Sequence, residues 1–176
     1  MIRKLCLSLL LALALVACGE AETSRPAPVE VTDDAVGHYC GMLLNEHAGP
    51  RGQAFVKGES NPTWFTSARD ALIFLRMPEE PRDLAAVYVT DMAKAKNWDR
   101  PEPGTWVEVN DAWFVIDSDR RGGMGGPEAV PFSSEEAAKS FVAQHGGRVV
   151  RLAEVPDAYL FDPGAPGEST EGHASH

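Results

Sequence analysis

The chain has 176 residues, of which 44% are hydrophobic and 24% are charged. This composition is typical of a globular protein and excludes a fibrous or wholly disordered chain. With 26 acidic and 16 basic residues, its formal net charge of −10 disfavours binding to nucleic acid or to anionic membrane surfaces. The length predicts one domain, or two very small lobes that share a core.

The first eighteen residues have the pattern of a lipoprotein export signal. Arg3 and Lys4 precede an apolar run, residues 5–16, that is too short to span a bilayer as a helix. The run ends in "LVAC", a lipobox pattern in which small residues precede a cysteine that becomes lipidated. We therefore predict a signal peptide over 1–17 and a lipid anchor on Cys18, which would hold an exported protein on a membrane, facing the periplasm. The alternative is an ordinary cleaved signal followed by an unrelated cysteine.

The predicted mature chain has three parts. Residues 18–35 are polar, acidic and proline-containing, which predicts a flexible tether of about 20 Å. Residues 36–161 form the predicted folded region, and 162–176 form a predicted disordered tail. We expect the protein to be a monomer. His173 and His176 could hold a metal weakly, although a solvated tail is the simpler interpretation.

Four elements are predicted in the first half of the folded region: strands at 39–45, 52–58 and 84–92, and a helix at 68–76. Ser67 and Asp70 resemble a capping box at the start of that helix, with Asp in the place of Glu, and Pro78 ends it.

The second half is predicted to repeat this order. The strands "TWVEV" and "AWFVIDS" flank Asn110 and Asp111, which suggest a tight hairpin turn. A short strand and a helix at 134–145 follow, with Ser133 and Glu136 as a capping box and Gly146 as the stop; the last strand is 148–155.

A short repeat relates the two halves. "FTS" begins at Phe65 and "FSS" begins at Phe132, 67 residues later, and an alanine follows the last serine of each by four residues, at Ala71 and Ala138. We predict an α+β fold of two similar lobes, each strand-strand-helix-strand (ββαβ), over about 36–92 and 105–155.

Cys40 is the remaining thiol once residues 1–17 are removed and Cys18 is lipidated. It is either a small apolar core residue or a metal ligand. In an extended strand, His38, Cys40 and Met42 would project from one face. A thiolate beside a thioether is a soft ligand set that selects Cu(I), and Met124, between two glycine pairs, is the candidate for a further sulfur. Met77 and Met92, beside apolar segments, are predicted to be packing residues.

"HYCGMLL" and "DAWFVIDSDRRGGMGGPEAVPFSSEEAAKSFVAQHGG" resemble the NosL family of accessory lipoproteins, over about 36–155. The resemblance implies two homologous ββαβ lobes and a Cu(I) site of Cys40, Met42 and Met124. It also implies delivery of Cu(I) for the copper–sulfur centre of nitrous oxide reductase, with an ABC-type membrane assembly as docking partner. The prediction of His38 as a further ligand rests on strand geometry alone and is not implied by the family motif.

Two other function classes fit the sequence less well. A hydrolase built on Cys40 with His38 or His145 would need an orienting group and an oxyanion hole, and no nucleophile motif surrounds Cys40. A phosphate-binding role for "GGMGG" lacks the following Lys-[Ser/Thr]. The non-enzymatic alternative is an interaction or scaffold lipoprotein in which Cys40 is only structural. The chain is predicted not to be an enzyme.

Overall fold

A computed structural model of the chain describes residues 25–162. The predicted signal peptide, Cys18 and the tail histidines lie outside these residues. In chain order the strands and helices are β1 (Gly52–Val56), β2 (Thr63–Phe65), α1 (Ala68–Arg76), β3 (Leu84–Thr90), β4 (Trp106–Glu108), β5 (Trp113–Ile116), β6 (Val130–Phe132), α2 (Glu135–His145), β7 (Arg148–Arg151) and α3 (Asp157–Phe161). Short 3-10 turns at Leu44–Glu46 and Leu152–Glu154 complete the order.

Two antiparallel sheets carry the internal repeat. The first has the strand order β2-β1-β3-β4, and the second has the order β6-β5-β7. Phe65 at the end of β2 pairs with Gly52 at the start of β1, and Phe132 at the end of β6 pairs with Trp113 at the start of β5. The "FTS" and "FSS" motifs therefore occupy matching places in two ββαβ units, and the predicted α+β fold is confirmed.

The helix starts follow the same repeat. The hydroxyl of Ser67 accepts a hydrogen bond from the backbone N–H of Asp70 at 3.0 Å, so α1 begins as predicted. The cap of α2 is Ser134, whose hydroxyl accepts from the N–H of Ala137 at 3.2 Å. The prediction of Ser133 was wrong by one residue.

The physical reason for this shift lies in a contact between the lobes. The N–H of Ser133 donates to the buried carboxylate of Asp91 at 2.8 Å, which holds Ser133 in the extended connection before α2. The helix then ends at Gly146 with a φ of 68°, as predicted, because glycine adopts this left-handed conformation without steric cost.

Two strand predictions were wrong. Residues 39–45 do not form a strand, and the second strand of the first lobe is Thr63–Phe65. The hairpin at Asn110 and Asp111 is also absent, because β4 pairs with β3 whereas β5 pairs with β6 and β7. The carboxylate of Glu108 accepts from the backbone and side-chain N–H groups of Asn110, and this turn carries the chain from one sheet to the other.

Both lobes contribute to one hydrophobic core. Its largest fully buried side chains include Phe65 and Phe74 from the first lobe and Phe114 and Ile116 from the second. Across residues 25–162, no helix combines the length and apolar character that a bilayer span requires.

The segment before the first lobe lies against the first sheet. Gln53, which is fully buried, bonds both the N–H and the carbonyl of Val29 at 2.9 Å. The hydroxyl of Tyr88 donates to the carbonyl of Pro26 at 2.7 Å. We call residues 25–31 the N-terminal strap. This part of the predicted flexible tether is bound to the sheet surface, because the buried amide of Gln53 matches the backbone polar groups of Val29.

Candidate metal centre

Cys40 and Met42 lie on a tight turn. The N–H of Gly37 donates to the carbonyl of Met42 at 2.9 Å, and the N–H of Gly41 donates to the carbonyl of Gly37 at 2.8 Å. Gly41 has a φ of 66°, which a strand does not accommodate. These bonds explain why the sequence around Cys40 forms a turn and not the predicted strand.

The thiol of Cys40 faces the start of α1. Its Sγ lies 3.6 Å from Oγ1 of Thr66, and the Thr66 hydroxyl is 3.4 Å from Oδ2 of Asp70. A Cβ on Gly37 would stand 2.7 Å from this Sγ, so glycine leaves the space that the sulfur occupies. Cys40 itself is only partly buried. Burial raises the pKa of the Asp70 carboxyl beneath it.

Met124 stands on a glycine-rich loop, residues 121–127, which we call the Met124 loop. The N–H of Gly122 donates to the carbonyl of Gly126 at 3.0 Å, and the N–H of Gly125 donates to the carbonyl of Gly122 at 2.8 Å. Met124 is 54% exposed, so it is not a core residue. A large apolar side chain is thus presented to solvent between the two glycine pairs.

The two glycines before Met124 allow the loop to approach the rest of the protein closely. A Cβ on Gly122 would stand 2.7 Å from Oε2 of Glu128 and 3.6 Å from Cβ of Ser67. A Cβ on Gly123 would stand 2.5 Å from Cβ of His47. The loop therefore rests beside Ser67, the residue that follows the Thr66 contact of the thiol.

Glu128 lies beneath this loop and is 1% exposed. Its Oε1 accepts from the backbone N–H groups of Arg69 and Ala129, both at 2.9 Å. Its Oε2 has no hydrogen-bond partner within the described part of the chain. Burial raises the pKa of Glu128 to about 8, and the nearby charge of Asp70 acts in the same direction.

His38 does not stand in a row with Cys40 and Met42. Its Nε2 lies 3.1 Å from Oε1 of Glu80, and its ring packs edge-on against Phe74. Because the predicted strand is absent, the geometric argument for His38 is lost. Its role as a ligand stays a prediction without support from this arrangement.

The geometry joins the other candidates through the start of α1. Cys40, on the turn that it shares with Met42, contacts Thr66, and the Met124 loop rests against Ser67. Residues 25–162 contain no group of three or more His, Cys, Asp or Glu side chains placed to hold a metal ion. Cys40, Met42 and Met124 all carry sulfur, and thiolate with thioether suits Cu(I).

Sequence reasoning missed the residues that support this place. Ser67 was predicted as a helix cap, but nothing in the sequence indicated that it would lie beside the Met124 loop or that Thr66 would lie beside Cys40. Glu128 had one signal, an acidic residue immediately before the apolar stretch "AVPF". That signal does not distinguish a buried carboxyl from a solvated one.

Comparison with known proteins decides the family. The NosL family model matches residues 28–160, most of the chain. The chain belongs to the NosL family. The resemblance predicted from the Cys-Gly-Met and glycine-rich methionine motifs is thereby confirmed.

Three NosL proteins illustrate the similarity. The "Copper-binding lipoprotein NosL" of Achromobacter cycloclastes is 44% identical over 154 residues, covering 86% of this chain and 80% of the relative. The protein of the same description from Stutzerimonas stutzeri is 32% identical over 182 residues, covering 97% and 94%. The crystal structure of the copper chaperone NosL from Shewanella denitrificans superimposes with a TM-score of 0.70 at 33% identity, covering 76% of this chain and 98% of that one. This NosL structure supports the two-sheet fold described above.

Proposed function

We propose that this chain is an exported, non-enzymatic lipoprotein that binds Cu(I) through Cys40, Met42 and Met124. It delivers this ion, as cargo, for assembly of the copper–sulfur centre of nitrous oxide reductase. Support comes from relatives described as copper-binding lipoproteins and as a copper chaperone. The main observation in this chain that supports the proposal is that Cys40 contacts Thr66 and the Met124 loop lies beside Ser67, two adjacent residues at the start of α1.

The exposure of these groups suits a protein that gives its metal away. Cys40 and Met42 are half-buried and Met124 is more than half exposed, so an acceptor's ligands can reach the ion. A thiolate supplies charge as well as softness, and thioethers supply softness alone. Cys40 therefore dominates the affinity, and each methionine adds a smaller amount.

The two alternatives fit this environment less well. A purely structural cysteine would be expected in the core, but Cys40 is only partly buried. A thiol enzyme would need an adjacent base. Among the described residues, the polar contact of the thiol is the hydroxyl of Thr66, and the imidazole of His38 is engaged by Glu80.

The proposal includes the location and the partners. Lipid on Cys18 holds the domain on a membrane facing the periplasm, and an ABC-type assembly that serves the reductase receives the copper. Cys18→Ala should move the protein from the membrane fraction to the soluble periplasmic fraction without changing its Cu(I) affinity. A wild-type protein that is soluble and carries an unmodified mature N-terminus would contradict the anchor.

The copper site is tested by anaerobic Cu(I) titration of the full-length protein in detergent against a competing chelator. Cys40→Ala should nearly abolish binding, whereas Met42→Leu and Met124→Leu should weaken it. Met92→Leu makes the same exchange at a half-buried packing position and should leave the affinity unchanged. Binding should weaken as the pH falls, because the thiol must lose its proton to bind metal. Wild-type affinity in Cys40→Ala would end the proposal.

A further inference from the structure

Glu128 is a buried carboxyl between the start of α1 and the base of the Met124 loop. We propose that Glu128 is a positioning residue, which holds the Met124 loop against the start of α1 so that Met124 can join Cys40 in binding copper. The proposal rests on the proposed function, because it concerns the placement of one predicted ligand relative to another.

The first step is a hydrogen bond between the lobes. Oε1 of Glu128, which lies just before β6 in the second lobe, accepts from the N–H of Arg69 in the first turn of α1. The first N–H groups of a helix have no acceptor within the helix, so they require one from outside. Glu128 supplies it from the other lobe. The same helix start carries Thr66, the contact of the Cys40 thiol.

The second step is the close approach of the loop to the same carboxyl. Gly122 lies directly against Oε2, since a Cβ at this position would stand only 2.7 Å from that oxygen. The backbone of Glu128 is held in turn by Tyr159, whose hydroxyl donates to the Glu128 carbonyl at 2.8 Å. One fixed side chain thus touches the start of α1 through one oxygen and the base of the Met124 loop through the other.

The third step is the consequence for Met124. Its side chain is 54% exposed at the apex of the loop, so the placement of its sulfur depends on how the base of the loop is seated. Outer residues that orient metal ligands typically change metal affinity by about 10–100-fold when they are replaced. Displacing the base of the loop should therefore reduce Cu(I) affinity within that range while leaving Cys40 in place.

The test compares two glycines of the same loop in the full-length protein. Gly122→Ala places a methyl group against Oε2 of Glu128 and should weaken Cu(I) binding about tenfold or more. Gly126→Ala is the matched control, because a Cβ there meets no atom within 4 Å, and it should bind as the wild type does. Each variant is measured by anaerobic chelator competition, and thermal unfolding checks that it is folded.

Substitutions of Glu128 provide a second route that introduces no added atom. Glu128→Gln keeps the volume and an acceptor oxygen for Arg69, and should retain wild-type affinity. Glu128→Ala removes the acceptor and should weaken binding. If Glu128 acts through Met124, the effects of Gly122→Ala and Glu128→Ala should disappear when each is combined with Met124→Leu.

The outcomes separate this proposal from the proposed function. Wild-type affinity in both Gly122→Ala and Glu128→Ala would overturn the positioning role, and so would an equal loss in the Met124→Leu background. Wild-type affinity in Met124→Leu alone would also overturn it, because no ligand would then remain to be positioned. Failure of the copper proposal itself is seen elsewhere, as unchanged binding in Cys40→Ala.

Discussion

The Sγ of Cys40 lies 3.6 Å from the Thr66 hydroxyl oxygen, and that hydroxyl is 3.4 Å from the Asp70 carboxylate. While the sulfur carries its proton, it can donate to Thr66, which donates to Asp70. If the thiolate binds a metal as proposed, the sulfur can only accept, and the Thr66 hydroxyl would donate to it. Thr66 is therefore placed to orient the sulfur in both states.

Thr66→Val should consequently weaken Cu(I) binding by about tenfold, because it removes the hydroxyl partner of the sulfur and nearly keeps the side-chain volume. Thr63→Val, at the start of β2, makes the same exchange away from the thiol and should have no effect. Both are measured by anaerobic chelator competition. Equal affinities for the two variants would show that the hydroxyl contact is irrelevant to copper.

The position of the α2 cap gives a stability prediction. Ser134→Ala removes the acceptor for the N–H of Ala137 and should lower the free energy of unfolding by about 1 kcal/mol. Ser133→Ala keeps the backbone N–H that bonds to Asp91, so the free energy of unfolding should change by less than about 0.5 kcal/mol. Urea denaturation of the two variants decides between the adjacent serines, and a larger loss in Ser133→Ala would contradict the assignment.

Glu128 should make the stability depend on pH. Its carboxyl keeps a proton up to about pH 8 in the folded protein, whereas the unfolded chain loses it near the ordinary pKa of 4.5. The folded state thus binds more protons across this interval, and the free energy of unfolding should fall as the pH rises from 4.5 to 8. The contribution cannot exceed about 1.4 kcal/mol per pH unit.

Glu128→Gln should lack this contribution, since its side chain does not titrate. The measurement is the difference in unfolding free energy between wild type and variant at pH 5 and pH 7.5, by urea denaturation. Glu59→Gln, at an exposed position, serves as the control and should follow the wild type at both pH values. If the free energies of unfolding of the wild type and Glu128→Gln changed equally between pH 5 and pH 7.5, burial would not hold the proton on Glu128.

The side chain of Gln53 makes two of the hydrogen bonds that hold the N-terminal strap. Gln53→Leu removes both hydrogen bonds to the backbone of Val29 and should loosen the strap around Val29, at a cost of about 1–3 kcal/mol in stability. Hydrogen exchange of the peptide that contains Val29 should become faster. Gln144→Leu, on the exposed face of α2, is the matched control. Equal hydrogen exchange of the Val29 peptide in the two variants would show that Gln53 does not hold the strap.

The features predicted correctly from the sequence are those that local chemistry determines. Ser67 marks the start of α1 because its hydroxyl accepts from an N–H three residues later, and Gly146 ends α2 because it tolerates a positive φ. The internal repeat was also predictable, because the similar motifs that begin at Phe65 and Phe132 occupy equivalent positions in the two sheets.

The features that were missed depend on contacts between distant segments. Apolar residues around Cys40 suggested a strand, but hydrogen bonds between Gly37, Gly41 and Met42 close a turn there. Asn110 was predicted in a hairpin because the strands beside it looked like a pair, although their partners lie in different sheets. For the candidate site, residue type indicated the proposed sulfur ligands, but the contact of Glu128 with α1 comes from folding of the second lobe onto the first.

The docking of the strap changes how far the domain can travel. If Cys18 carries lipid as proposed, six residues separate it from Arg25, where the strap begins. A fully extended link of this length reaches about 25 Å, against roughly 60 Å if the whole stretch to Val36 were free. Because accessible volume grows with the cube of reach, strap docking would then concentrate the domain near the membrane roughly tenfold. Binding of the N-terminal strap to the first sheet would thereby raise the frequency with which Cys40 encounters a partner embedded in the same membrane.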